Sequence, residues 1–257
     1  MQQEPLVLLG GHMCDARIFG PQISEFSKDR MVVVPPVMTG RSVPEYIRGL
    51  LTQLPAKFAV AGYDLGGFGA MELLHKVPDR VTRIALISTN ALADTPQESA
   101  AREADITKAR AGCGHMVIEE RSLAAIGNGA HRAGALQILR DMATGLGPDV
   151  MVEQLRAIQK RSDQQSTLRR CRVPAAVICG ELDPLAQPKR HEFMATLIHY
   201  ATLHVIPNAG HYPTLEQPDM INAALREWLV QPMVLSYRSN VSILRVSLPD
   251  MGFVTEL

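Results

Sequence analysis

The sequence predicts a doubly wound α/β fold with a mainly parallel sheet. Short apolar runs rich in β-branched residues alternate along the chain with segments of helical periodicity. The runs are nearly continuous in apolarity, which is typical of parallel strands covered on both faces. The predicted strands span residues 5–10, 30–37, 57–64, 80–89, 174–180 and 201–208. The predicted helices span residues 16–28, 43–54, 66–77, 187–199 and 218–230.

The alternation stops between about residues 91 and 170. This stretch carries several helical patterns and no strand pattern, and it is too long for a simple connection. We therefore expect residues 91–170 to form a helical cap over one edge of the sheet. Residues 1–90 and 171–230 would then form the core domain. A cap of this kind would shape a substrate pocket and exclude water from it.

Residues 231–257 form a C-terminal extension after the last predicted helix. The segment alternates weakly between apolar and polar residues, as an edge strand does. Three alternatives stay open: pairing with another chain in a dimer, loose order, or a role unrelated to the domain. The sequence therefore leaves the oligomeric state undecided.

The composition argues against several classes of function. Lys plus Arg and Asp plus Glu both total 26, so no basic field marks the chain for nucleic acid or an anionic membrane. We expect neither a signal peptide nor a membrane span at the N-terminus. No metal cluster or cofactor motif is present, which predicts a cofactor-free protein with a small-molecule substrate. The scattered cysteines are expected to be reduced thiols, as in a cytoplasmic protein, and they are Cys14, Cys113, Cys171 and Cys179.

The segment GYDLGG at residues 62–67 links a predicted strand to a predicted helix. Its glycines allow the strand and the helix to approach closely around a tip residue with a strained backbone. The G-x-S-x-G pattern presents a catalytic serine at such a tip, but here the tip is Asp64. The N-terminus of the following helix favours its negative charge. Asp64 is therefore the candidate nucleophile, although aspartate is also a common turn and N-cap residue.

Two candidate partners follow Asp64 in chain order. Asp183 lies in GELDPL just after a predicted strand, and His211 lies in the loop NAGHYPTLEQP after the next strand. The histidine can activate water, and the carboxylate can fix its tautomer and stabilise the imidazolium. Asp183 could instead cap a turn, in which case Asn90 or Asp94 would supply the acid.

An acyl-transfer or ester intermediate also needs donors for a developing oxyanion. The turn LLGGHMCD after the first strand can direct a backbone N–H, that of His12, into the site. The second candidate donor is the N–H of Leu65, which immediately follows Asp64. The His12 ring itself is expected only to line the pocket.

Taken together, the elbow GYDLGG, the acid loop GELDPL, the histidine loop NAGHYPTLEQP and the turn LLGGHMCD resemble the α/β-hydrolase superfamily over residues 5–230. The chain looks most like small, capped serine esterases. The resemblance implies a triad of Asp64, Asp183 and His211, with an ester or related acyl substrate. The chain departs from these esterases at position 64 and at Gly10, where many members carry His or Pro.

The chemistry of a carboxylate favours a different route. Attack by Asp64 on an acyl carbon would give a mixed anhydride, whereas attack on a saturated carbon gives an alkyl ester that His211 can help water to open. This resembles epoxide hydrolases and dehalogenases. Their usual helpers are missing: Leu65 replaces a tryptophan or arginine, Trp228 lies in the last predicted helix, and residues 91–170 contain no tyrosine. The cap residues that could substitute are Arg102, Arg121, His131 and Arg132.

Three alternatives thus remain from the sequence. The first is an esterase-like hydrolase with Asp64 in place of serine, and the second is a hydrolase with an aspartate nucleophile. The third is a lyase, an isomerase or an inactive binding protein on the same scaffold.

Overall fold

The computed structural model describes residues 3–233 and 242–244. Within these residues, seven strands form a single parallel sheet in the order β2-β1-β3-β4-β5-β6-β7. The strands are β1 (Leu6–Leu9), β2 (Val32–Val33), β3 (Phe58–Tyr63), β4 (Val81–Ile87), β5 (Ala175–Gly180), β6 (Ala201–Ile206) and β7 (Ser242–Leu244).

Helices connect these strands on both faces of the sheet. The α-helices are α1 (Gly20–Phe26), α2 (Val43–Leu50), α3 (Leu65–Lys76), α4 (Pro96–Lys108), α5 (Gly114–Ala125), α6 (Arg132–Gln159), α7 (Gln165–Arg169), α8 (Pro188–Leu197), α9 (Pro213–Glu216) and α10 (Pro218–Leu229). A 3₁₀ turn at Ala16–Phe19 precedes α1, and a π-helical turn at Ala109–Cys113 joins α4 to α5.

The core lies in two layers because successive residues of a strand point to opposite faces. In β1, Leu6 and Leu8 pack with α1 and α10 on one face, whereas Val7 and Leu9 pack with α2, α3 and α8 on the other. All four side chains are buried. The predicted doubly wound fold is therefore confirmed.

Most predicted elements agree with the structure within a few residues, but the second strand is much shorter than predicted. The pattern predicted a strand over 30–37, whereas only Val32–Val33 pair with β1. The reason is the dipeptide Pro35-Pro36, because proline has no N–H to donate to a neighbouring strand.

Residues 96–169 contain α4 to α7 and no strand. Their helices share a third apolar cluster, which includes Ile106, Ile118 and Leu155 and reaches Met13 in the turn after β1. Helix α6 is interrupted at Gly147, where φ is +76°. The division into a core and a cap at residues 91–170 stays a prediction.

At the far edge of the sheet, β7 pairs in parallel with β6. The rest of the predicted extension beyond residue 233 lies outside the described residues. Among the helices of the described residues, none combines the length and apolar character needed to cross a lipid bilayer.

The crossing of β1 and α3 depends on a residue without a side chain. A Cβ at Gly66 would overlap the carbonyl oxygen of Leu9, whereas a Cβ at Gly20 would meet no atom within 4 Å. We predict that Gly66→Ala lowers the free energy of unfolding by about 3 kcal/mol, as overpacking does. Gly20→Ala, the matched control, should stay within about 0.5 kcal/mol. Urea denaturation measures both, and equal effects would contradict this account.

Candidate active site

Asp64 occupies the sharp turn between β3 and α3. Its backbone has φ +48° and ψ −112°, a strained conformation for a residue with a side chain. Hydrogen bonds hold this conformation. The Asp64 N–H donates to Ile87 O at 2.9 Å, and Thr89 Oγ1 donates to Asp64 O at 2.8 Å. The side chain makes no capping bond to α3, so the carboxylate is directed elsewhere.

The Asp64 carboxylate contacts the turn after β1. The His12 N–H donates to Asp64 Oδ2 at 2.9 Å, while Asp64 Oδ1 lies 3.9 Å from His211 Nε2. The N–H group predicted to bind an oxyanion therefore binds the carboxylate itself. Leu65, the other predicted donor, is the first residue of α3, so its N–H lies outside the hydrogen bonds within the helix.

Asp183 and His211 meet as the chain order predicted. His211 Nδ1 lies 2.9 Å from Asp183 Oδ2, and both side chains are buried. Asp183 Oδ1 also accepts the N–H groups of Leu185 and Ala186, each at 2.9 Å. One carboxylate thus holds the histidine and caps its own turn.

The two alternative acids have other partners. Asn90 Oδ1 accepts the N–H of Leu92 at 2.9 Å. Asp94 pairs with Arg102 at 2.6 Å and with Arg161 at 2.6 Å. Neither contacts His211, so Asp183 is the acid that the structure brings to the histidine.

The three ionisable groups shift one another's pKa. Burial acts to raise the pKa of Asp64, but His211, Arg121 and the His12 N–H together lower it below its ordinary value. Burial acts to lower the pKa of His211, but Asp183 and then Asp64 raise it above its ordinary value. Asp183, despite its burial, has a lowered pKa because of His211 and two backbone amides. Both carboxylates are therefore ionised at neutral pH.

The histidine loop is fixed by a residue that the sequence analysis missed. Buried Glu216 accepts hydrogen bonds from the N–H groups of Gly127 at 2.6 Å, Gly210 at 2.9 Å and Tyr212 at 2.8 Å. The His211 N–H in turn donates to the carbonyl of Ala125 at 2.8 Å. The only signal for Glu216 was an acidic residue five positions after His211, in the same loop.

The turn after β1 is also supported from outside the sheet. Met13 has φ +54°, and its N–H donates to Gln154 Oε1 at 2.8 Å. Gln154 lies on α6, and its amide nitrogen donates to Met38 O at 2.9 Å. Helix α6 therefore helps to place the His12 N–H. Nothing in the sequence pattern singled out Gln154.

Two adjoining cavities lie beside the carboxylate, and Asp64, Arg121 and His211 line both of them. The space open to a water-sized sphere is about 10 Å³ in the first cavity and about 40 Å³ in the second. Arg102 and Arg161 line the second cavity only. Spaces of this size hold about one to three water molecules, so a substrate requires the lining side chains to move.

Of the four cap residues considered, Arg102 and Arg121 reach these cavities. Arg132 donates instead to the carbonyls of Ile126 and Gly127, each at 2.8 Å. His131 lines a separate surface groove. Across the part of the chain that the structure describes, no three His, Cys, Asp or Glu side chains converge as a metal site does.

Comparisons with known proteins agree with this fold. The chain belongs to the alpha/beta hydrolase family, whose model matches residues 34–224. A pimeloyl-[acyl-carrier protein] methyl ester esterase of Aromatoleum aromaticum is 25% identical over 200 residues, covering 70% of this chain and 77% of the relative.

Two solved structures extend the likeness to the whole fold. A thermophilic esterase from Thermogutta terrifontis superposes with a TM-score of 0.83 at 25% identity, covering 89% of this chain and 90% of that one. An enol-lactonase from Burkholderia xenovorans LB400 superposes with a TM-score of 0.79 at 21% identity, covering 90% and 93%. At that identity the second likeness shows the fold alone.

The superfamily and the hydrolase class predicted from the sequence are thereby confirmed. The catalytic roles of individual side chains stay predictions. They concern Asp64, Asp183, His211, His12 and Leu65.

The raised pKa of His211 can be measured directly. We predict that NMR titration of its ring gives a pKa above the ordinary value of about 6.5, and that Asp183→Asn lowers it, since Asp183 is the main group raising it. Because the pKa of His211 is higher in the folded than in the unfolded protein, protonation of His211 stabilises the folded state. This stabilisation is fully present below pH about 6.5 and is lost as pH rises through the folded-state pKa. Asp149→Asn, an exposed control, should leave the His211 pKa unchanged. An unchanged value in Asp183→Asn would contradict the assignment.

Proposed function

We propose that this protein hydrolyses a small organic substrate through an alkyl ester formed on Asp64. Asp64 Oδ1 attacks a saturated carbon that carries a leaving group, and the leaving group departs with the bonding electrons. His211 then takes a proton from water, whose oxygen adds to Cγ of the ester. Collapse of the intermediate breaks the bond between Cγ and the alkyl oxygen, and His211 returns its proton to that oxygen to release the alcohol. The carboxyl group then loses the remaining proton of the added water, which restores the carboxylate.

The position of Asp64 Oδ2 carries this proposal. The hydrogen bond from the His12 N–H holds Oδ2 at 2.9 Å before any substrate binds. In an alkyl ester on Oδ1, Oδ2 becomes the carbonyl oxygen, and it gains negative charge when water adds to Cγ. The N–H groups of His12 and Leu65 would then stabilise that charge without rearrangement.

The ionisation of the site supports the same route. The lowered pKa of Asp64 keeps the carboxylate charged and hence nucleophilic at neutral pH. His211 Nε2 lies 3.9 Å from Asp64 Oδ1, beyond hydrogen-bond distance, so this nitrogen is available to water. Asp183 stabilises the imidazolium that forms when water is deprotonated.

The second candidate is hydrolysis of a carboxylic ester at its acyl carbon. The comparisons favour it, because the curated relative and the first solved structure are both esterases. Two features of Asp64 oppose it. A carboxylate attacking an acyl carbon gives a mixed anhydride, and Asp64 Oδ2 already uses the His12 N–H that a substrate carbonyl would need. This candidate therefore requires a serine at position 64 for full activity.

Single turnover in H₂¹⁸O tests the proposal. With enzyme in excess over a short alkyl bromide or epoxide, the added water oxygen should remain in Asp64. Peptide mass spectrometry is expected to find one ¹⁸O in the Asp64 peptide and none in the first alcohol released. Asp64→Asn should take up no label. Label confined to the product would contradict the covalent route.

The esterase alternative has its own measurement. We expect Asp64→Ser to abolish turnover of the alkyl substrate, because serine is not ionised as the Asp64 carboxylate is. Hydrolysis of p-nitrophenyl acetate is then compared between this variant and the unaltered chain. If the unaltered chain turns over no alkyl bromide or epoxide, and Asp64→Ser hydrolyses the ester, the second candidate replaces the first.

A further inference from the structure

Arg121 is a cation beside the nucleophile without a partner of its own. It lies on α5, lines both cavities with Asp64 and His211, and acts on the pKa of each. Within residues 3–233 and 242–244, its guanidinium makes no hydrogen bond or ion pair. A guanidinium offers five fixed donors, so an unpaired one in a cavity is suited to a planar anion.

The neighbouring charges already have partners. Asp183 is bonded to His211, and Asp94 sits between Arg102 and Arg161. Arg161 also stacks on the Phe68 ring, with its guanidinium carbon 4.5 Å from the ring centroid. Asp64 Oδ1 lies 3.9 Å from His211 Nε2. Among the described residues lining the cavities, this leaves Arg121 as the charged group without an ion-pair partner within 4 Å.

A second observation points into the same cavity. The His12 ring is buried, lines the first cavity, and has no hydrogen-bond partner at Nε2. A buried polar atom of this kind is normally satisfied, so its orphaned state marks a place for a ligand atom. The remaining walls of this cavity are largely neutral, and they include Ile118, Leu139 and Tyr63.

We infer that the substrate of this site is a small carboxylate, held by Arg121 and His12. Both oxygens of the substrate carboxylate face the Arg121 guanidinium. His12 Nε2–H donates a further hydrogen bond to one of these oxygens. The reacting carbon is thereby directed at Asp64 Oδ1. This inference names the substrate class of the proposed function and rests on it for the position of the reacting carbon.

The chemistry of the reaction fits this assignment. When Asp64 becomes a neutral ester, Arg121 loses the negative charge with which it interacts in the free site. A substrate that carries its own carboxylate restores the balance in a site shielded from water. In the alternative role, Arg121 stabilises the negative charge that develops on the leaving group during the reaction. The two roles predict different results.

Binding without turnover tests the inference first. Propionate and the neutral, isosteric propionamide are titrated into the protein and followed by calorimetry at fixed ionic strength. We expect propionate to bind at least roughly tenfold more tightly, as a charge-assisted bond allows. Arg121→Gln should abolish the preference, and His12→Phe, which keeps the backbone N–H, should reduce it. Arg110→Gln removes an exposed charge and should leave the preference intact.

Turnover separates this inference from the proposed function. Bromoacetate and bromoacetamide are compared by kcat/KM in the same variants. Arg121→Gln should lower kcat/KM for the anion at least roughly tenfold more than for the amide. Equal losses would assign Arg121 to the leaving group and overturn the inference. A binding preference without turnover of either compound would retain the inference and refute the proposed function, whereas equal binding of propionate and propionamide would refute the inference itself.

Discussion

The hydrogen bond from the His12 N–H to Asp64 Oδ2 joins the two turns on which the site depends. One turn follows β1 and the other follows β3, and these strands are neighbours in the sheet. The bond orients a carboxylate whose own backbone is strained, and it fixes which oxygen faces His211. On the proposed route, the bond therefore determines which oxygen would attack the substrate and which would become the carbonyl oxygen of the ester.

Burying this carboxylate requires compensation, because an isolated charge is costly away from water. The compensation comes from several elements: the N–H of His12, the imidazole of His211 and the guanidinium of Arg121. Gln154 helps to hold the His12 N–H, because it accepts the N–H of the adjacent Met13. Glu216 helps to hold His211, because it accepts the N–H of the adjacent Tyr212. A neutral serine hydroxyl at position 64 would need no compensation for a buried charge.

The sequence was sufficient to predict the sheet and the meeting of Asp64, Asp183 and His211. Each lies just beyond a strand, and the carboxyl ends of parallel strands open at one edge of the sheet. Chain order and turn chemistry were enough because this geometry leaves few alternatives. The predicted bounds of the second strand, residues 30–37, were wrong, although Pro35-Pro36 carries a chemical signal against strand pairing there.

Other features depend on contacts that periodicity does not encode. Arg121 and Arg132 looked equivalent in the sequence, yet one lines the cavities and the other binds backbone carbonyls. Glu216 and Gln154 act through partners 89 and 141 residues away in the chain. Such roles follow from how helices α5 and α6 lie over the strand ends.

Trapping the intermediate tests the central claim most directly. In His211→Gln, Asp64 can still attack the alkyl substrate that the unaltered chain turns over fastest, but no base activates water. Peptide mass spectrometry should then find the alkyl group on the Asp64 peptide in stoichiometric amount, and none in a His211→Gln, Asp64→Asn double variant. An unmodified Asp64 peptide, with the substrate still consumed, would contradict the account.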